Sequence, residues 1–365
     1  MFEKIASIIV SYQIKFPKVF MFVFLIINLL LIPGIFNLIN NVEPSLERVL
    51  PQNIDEIQTM NDMRTEFGAD MIYLVLEGED DTVDLRDLEV LRYIDILGKK
   101  ILTEENVLEV QSLTTVIGIP KTIYESKNLI AENPMSLNFI NHDSSISIIT
   151  VRTNTGSSAK AINKIIEEIN DDILSVEEYN PNIKTTITGF SAIDRATFNI
   201  IIDDFIKITV VSMIGIAIIV LLTFKSLIKG MLPMVIVMNA LIWTMGIVGY
   251  LGLTITVVSM VSAAMIMGLG IDFGIHQVHS YFEERKKNNP KKSLNNVMEE
   301  LLRAMFGASL TTIAGFLALL FGVLPAMKTL GIILAIGIFS TLIGAIFLLP
   351  VLIYYLDSRG EKYEN

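Results

Sequence analysis

The chain has 365 residues, 52% of them hydrophobic and 18% charged, with a formal net charge of −11. That balance lies outside the range of ordinary soluble domains and points to a membrane protein. No cysteine is present, which excludes disulfides, thiolate metal sites and cysteine nucleophiles, and no basic patch outside short loops would hold nucleic acid.

Charge-free tracts long enough to cross about 30 Å of hydrocarbon mark the membrane helices. The first is expected near Phe16–Leu38, after Lys4, Lys15 and Lys18, and is read as a retained span because no A-x-A-like cleavage site follows it. Residues 40–204 then hold 30 acidic against 13 basic side chains. This block reads as an α+β domain. Strands are expected at Asp70–Leu76, Val107–Val116, Ser145–Arg152 and Ile183–Gly189. Helices are expected at Asp84–Leu102 and, after a serine cap, at Ser157–Leu174. The order βαβ, linker, βαβ resembles a split ferredoxin-like sandwich. The linker, 118–142, carries two prolines and reads as a mobile flap or hairpin, with His142 a solvated loop residue. Phe190–Asp204 is expected to return as a helix into the membrane.

Further spans follow near Phe205–Phe224, Met231–Val248, Thr254–Val278, Ala304–Leu324 and Leu330–Leu356. The third and fourth come from one 42-residue uncharged tract between Lys229 and Asp272, divided at Gly249–Gly252. Between the fourth and fifth spans, residues 283–303 place Leu294, Val297, Met298, Leu301 and Leu302 on one helical face. That pattern reads as an amphipathic helix on the cytoplasmic leaflet. Six spans put both termini on one side. Lys4, Lys15, Lys18, Lys225, Lys229, Arg285, Lys286, Lys287, Lys291, Lys292, Arg303 and Arg359 all fall there, so the positive-inside rule makes it cytoplasmic and 40–204 extracytoplasmic. The expected organisation is 1–39 for the N-terminus and first span, 40–204 for the outer domain and 205–282 for spans two to four. Residues 283–303 form the surface helix, and 304–365 hold the last two spans and the tail of this multi-pass plasma-membrane protein.

Three stretches share a pattern with a known superfamily: GLGIDFGIHQVHSYFEE (268–284), SLTTIAGFLALLF (309–321) and LGIILAIGIFSTLIGAIFLLPVLI (330–353). With the order of one span, a large outer domain and five more spans, the chain resembles one half of the resistance-nodulation-division (RND) superfamily, nearest its MMPL and hopanoid-exporter branches. Phe273 departs from the tyrosine or second acid usual after the aspartate. Most members join two such halves in one chain, so the resemblance implies a homodimer with its fourth helices at the two-fold axis.

Asp272 is the central candidate, because an ionisable group in a span costs roughly 2.5–3.5 kcal/mol and tends to move ions or protons. The expected span limits put it past the helix midpoint, toward the cytoplasmic end. Ala264, Gly268 and Asp272 recur every four residues, a small-residue stripe that lets a neighbouring helix bury the carboxylate. Gly270 and Gly274 are assigned to packing around it, and Gly307, Gly315, Gly331, Gly337 and Gly344 also read as packing positions. His276, one turn on, could pass a proton to Asp272, whereas His279 reads as interfacial. Thr311 and Thr312, beside Ser309, either bond their own helix or, as the resemblance implies, flank the relay. Asn28 and Asn239 are expected to hydrogen-bond between helices.

These features lead to an expectation of a proton-coupled homodimeric exporter of lipid-like or hydrophobic molecules, with sodium as the alternative coupling ion and no catalytic set, metal or other cofactor. Alternatives are a Sec translocase accessory subunit moving polypeptide and a non-transporting sterol-sensing-like scaffold.

Overall fold

A computed structural model describes residues 2–40, 50–67, 70–79, 83–155, 159–180 and 182–360. They form two compact units, one of residues 1–51 with 200–365 and one of residues 52–199. The chain opens with helix α1 (Phe2–Lys15), followed at once by α2 (Pro17–Asn40). Pro17 lacks an N–H and cannot continue the ladder of the preceding turn, but it suits the first position of a new helix. By sequence, residues 1–15 are only the segment that carries Lys4 and Lys15 ahead of the first span. It is an amphipathic helix whose Ala6, Val10 and Gln13 are buried.

The second unit holds α3 (Asp55–Phe67), β1 (Asp70–Gly78), α4 (Leu88–Ile101), β2 (Val107–Gln111), α5 (Leu113–Ile117), α6 (Ile123–Glu132), β3 (Ile146–Thr153), α7 (Ala159–Ser175) and β4 (Ile183–Thr188). The strands form one antiparallel sheet in the order β2-β3-β1-β4, so each βαβ unit is split by a strand of the other. This is the ferredoxin-like arrangement expected from the sequence. Alternation supplies its core. Ile72, Leu74 and Leu76 of β1 and Ile149 and Val151 of β3 meet Leu91, Ile94 and Leu97 of α4 and Ile165, Ile166 and Ile169 of α7. Ser157, the expected cap of α7, lies outside the described residues.

Two local expectations are corrected. The second strand ends at Gln111 rather than Val116, because Ser112 starts a helix: its N–H donates to Thr115 Oγ1 at 2.9 Å, and that hydroxyl donates back to the Ser112 carbonyl. Side-chain bonding to the backbone outweighs the β-propensity of Thr-Thr-Val-Ile. Nor is 118–142 a free flap. It folds as α6 and a 3-10 turn at Pro134–Asn138, the Ser126 hydroxyl donates to the Arg86 carbonyl, and Phe139 and Ile140 enter the core. His142 is exposed, as expected.

Helix α8 (Phe190–Phe224) begins in the second unit and belongs to the first from Ile200 onward. The first unit continues with α9 (Leu227–Tyr250), α10 (Ser262–Arg285), α11 (Pro290–Leu317), α12 (Pro325–Ile343) and α13 (Leu349–Gly360), with a π-turn at Gly344–Leu348 joining the last two. Among the described residues, six helical stretches are long and apolar enough to span a membrane, beginning with Pro17–Leu38 and ending with Pro325–Ser358. The chain is a helical membrane protein with an α+β domain between its first two spans. The segment 283–303 differs from expectation. Asn289 caps a helix that runs without a break into the fifth span, and Leu294, Val297, Met298 and Leu302 are buried against Ala6, Val10 and Ile353. Protein from α1 and α13, not a leaflet, covers that apolar stripe.

In the second unit, both oxygens of Asp84 accept bonds from the Arg86 guanidinium at 2.8 Å, and Lys127 of α6 lies 3.3 Å away. The Arg86 bonds hold the Asp84 carboxyl well below the usual carboxylate range. Such a depressed value gives stability that is complete above the ordinary carboxylate range and lost as the pH falls through the folded value. Asp84→Asn is expected to cost about 1–3 kcal/mol at neutral pH, with the gap to wild type closing only in strong acid. Circular-dichroism melts across pH check this, and equal melting at neutral pH would contradict it.

Candidate relay site in the fourth span

Helix α10 has two unlike faces. One carries Ala263, Ile266, Met267, Gly270, Ile271, Gly274, Gln277 and Tyr281, all buried. Glycine is required there: a β-carbon on Gly270 would sit 2.9 Å from the Thr341 side chain of α12, and one on Gly274 would sit 2.8 Å from Pro233 of α9. The opposite face presents Gly268, Leu269, Asp272, His276 and His279, all exposed within the chain, with Ala264 half-buried beside them. At 100° per residue, Gly270 and Gly274 point away from Asp272. They dock α10 on its own chain and do not surround the carboxylate.

Asp272 stands close to the middle of α10 rather than toward its Arg285 end. The uncharged tract begins earlier, but Leu251–Thr256 is a turn, with Gly252 at φ +65° and the Thr256 N–H bonded to Ser259 Oγ. Helix therefore starts only at Ser262 and continues past the last apolar residue to Arg285. Among the described residues, Asp272 has no hydrogen bond or ion pair. His276 lies one turn on along the same face, unbonded to it. The small-residue stripe was expected to admit a neighbouring helix; within one chain, Gly268 faces open space.

The hydroxyls of Thr311 and Thr312 bond within α11. Thr311 donates to the Gly307 and Ala308 carbonyls at 3.1 and 2.9 Å, and Thr312 donates to Ala308 at 2.8 Å. Their second lone pairs stay available, and no bond joins either to Asp272. Ser309 is buried, with its hydroxyl unpartnered among the described residues. Gly307 and Gly315 of this helix also face open space, whereas Gly331, Gly337 and Gly344 meet neighbouring atoms closely. The packing glycines and the open ones thus separate by face.

Other polar groups hold the bundle. Asn28 of α2 donates to Asn239 of α9 at 3.0 Å and accepts from the Trp243 indole at 2.8 Å, the interhelical bond expected from the sequence. Sequence reasoning missed a triad at the end of the fourth and sixth spans. Tyr281 Oη and Arg285 Nε both donate to Asp357 Oδ2 at 2.7 Å. Its signal was available: Arg285 and Asp357 are opposite charges ending two apolar runs. It also missed Gln13, whose amide Nε2 donates to the Ile346 carbonyl in the π-turn at 2.7 Å.

A family model described as the MMPL family matches residues 48–364. The chain belongs to the MMPL family. Its resemblance to a half-size RND protein rests on that match and on relatives. A protein of Methanocaldococcus jannaschii bearing the name of a membrane protein is 29% identical over 351 residues, covering 92% of this chain and 90% of that protein. The hopanoid transporter HpnN of Rhodopseudomonas palustris is 32% identical over 110 residues, 30% of this chain and 13% of its own length. The chain thus spans most of the archaeal MMPL relative and a minor part of HpnN.

The two faces predict opposite responses. Gly274→Ala should cost about 1–3 kcal/mol by overpacking, while Gly268→Ala, which meets nothing, should stay within about 0.5 kcal/mol of wild type. Unfolding temperatures of the detergent-solubilised MMPL protein measure both. Equal losses would mean that the faces are not distinguished by packing.

Proposed function

We propose that this chain is a proton-driven transporter of lipid-like or other hydrophobic molecules, working as a homodimer with Asp272 as its relay. The observation that carries the reading is the position of Asp272: near the middle of α10, on a face left exposed among the described residues. A carboxylate facing lipid costs several kcal/mol. A second copy presenting the same face would cover it, and such an isologous contact is the usual closed arrangement of identical subunits. Gly268, Gly307, Ala308 and Gly315 leave room for a backbone to approach closely.

Dehydration of that seam gives the chemistry. Burial disfavours the charged carboxylate, so proton binding and release at Asp272 can be matched to two packings of the seam. His276, one turn away, is a titratable group through which the proton can pass. Sodium coupling would use the same carboxylate with the free lone pairs of Thr311 and Thr312. The HpnN relationship favours a lipid-like cargo. No metal or organic cofactor enters the scheme, and the chain acts as a transporter rather than an enzyme. We place it in the cell membrane with both termini cytoplasmic, following its basic loops.

Two measurements test this. In proteoliposomes with an imposed pH gradient, Asp272→Asn should lower gradient-driven movement of a fluorescent lipid at least tenfold, and Asp272→Glu should retain part of it. Because the chain has no cysteine, Gly268→Cys reports the seam directly and should form a covalent dimer on oxidation. Full transport by Asp272→Asn sinks the relay, and a monomer that transports and never cross-links sinks the dimer.

A further inference from the structure

A second polar site lies at the ends of α8, α9 and α10 that carry the basic loops. A cleft of about 420 Å³ opens there, its polar wall made by Thr223, Lys229, His279, Arg285 and the pair Glu283 and Lys286, with Phe282 beside them. That volume is in the range of small-molecule sites and far larger than a single ion needs. It forms because α8 reverses into α9 within two residues, with Lys225 at φ +49° making the turn. Lys229 is thereby set in the first turn of α9, facing the end of α10.

The charges around the cleft are not balanced alike. Glu283 is held by Lys286 at 2.6 Å, and Arg285 is held by Asp357 at 2.7 Å. Lys229 forms no ion pair with a described residue. Its ammonium lies 4.1 Å from the centre of the Phe282 ring, an aromatic wall that orients a cation without neutralising it. No acidic residue accompanies it in the first turn of its helix, where one would be favourable. Exposed apolar side chains lie on the same ends of α8 and α9: Ile219, Leu222, Leu227 and Ile228 are each more than 60% exposed.

We infer that this cleft binds the headgroup of an anionic phospholipid. The phosphate sits at Lys229, and headgroup hydroxyls are within reach of His279 and of the Thr223 oxygen. That oxygen keeps a lone pair, since the hydroxyl donates to the Ile219 carbonyl. The acyl chains run along Ile219 and Leu222 on α8 and Leu227 and Ile228 on α9. Basic pockets between spans are suited to such headgroups. A free phosphate would use the cation but not the apolar tracks, which makes the lipid the better occupant. The inference does not depend on transport or on Asp272.

Native mass spectrometry of the purified chain in mild detergent tests it, titrating phosphatidylglycerol against phosphatidylcholine. Wild type should retain phosphatidylglycerol preferentially. Lys229→Gln should weaken that binding about fivefold, toward the phosphatidylcholine level, the effect of one cation beside an anionic lipid. Lys229→Arg should preserve it, and the lipid-free unfolding temperature of each variant reports folding. Equal binding of the two lipids, or no loss in a folded Lys229→Gln, overturns the site. Displacement of phosphatidylglycerol by millimolar inorganic phosphate overturns the lipid as its occupant.

Discussion

One ionisable carboxyl in the middle of a membrane helix constrains the whole bundle. On the proposed placement within hydrocarbon there would be no water to solvate Asp272, so its charge would have to be neutralised or its helix face covered. A penalty of several kcal/mol is comparable with the net stability of an entire domain. The bundle does not relieve it internally. It spends the opposite face of α10 on docking, with Gly270 against Thr341 and Gly274 against Pro233, and leaves the Asp272 face outward. Gly268 on α10 and Gly307 and Gly315 on α11 leave open space on that side of the helices. A face with a carboxyl and open glycines is a poor surface to offer lipid and a good one to offer another helix.

The remaining spans are locked by contacts of two kinds. Where α2 crosses α9, Gly34, Gly246 and Gly249 bring backbone onto backbone; a β-carbon on Gly249 would overlap the Gly34 carbonyl, and one on Gly246 would lie 2.7 Å from the Leu31 oxygen. Stacking of Phe24 on Trp243 at 5.2 Å and the Asn28–Asn239 bond fix the same pair. The sixth span is held differently. Its π-turn frees a carbonyl at Ile346, which Gln13 of α1 satisfies. The amphipathic N-terminal helix is thus an integral part of the bundle, wedged against α11 and tied to the sixth span.

Much of this was legible in the chain. Uncharged tracts located the spans, because the requirement for apolar length overrides every local preference in a bilayer. Period-two and period-3.6 patterns gave the βαβ order, and with it the split sheet. What failed was local or depended on partners. The Thr-Thr-Val-Ile run after Ser112 looks like strand by composition, yet the Thr115 hydroxyl bonded to the Ser112 backbone makes it helix. The stripe from Leu294 to Leu302 announces an amphipathic helix but not what it faces, and here the partner is α1. The packing glycines of the fourth span could be counted in advance. Which of them met protein depended on faces: positions 270 and 274 lie on the side opposite 268 and 272. The placement of Asp272 erred because hydropathy marks where charge is absent, whereas the helix begins where Thr256 and Ser259 end a turn.

The two anchors of α10 also limit what titration at Asp272 can do. On one side of that residue the helix is set against α9 and α12 by Gly270 and Gly274. Nearer the helix end, Tyr281 and Arg285 share Asp357 of α13. These contacts lie on the buried face or at the helix end, and they involve backbone proximity or paired charge that a proton at Asp272 does not alter. Sliding α10 within its own bundle would break several of them for the gain of one. On the proposed reading, a change of charge at Asp272 would be felt on the open face of α10 and α11, where no contact among the described residues resists it. Whatever covers that face, rather than the bundle interior, would be the element it switches.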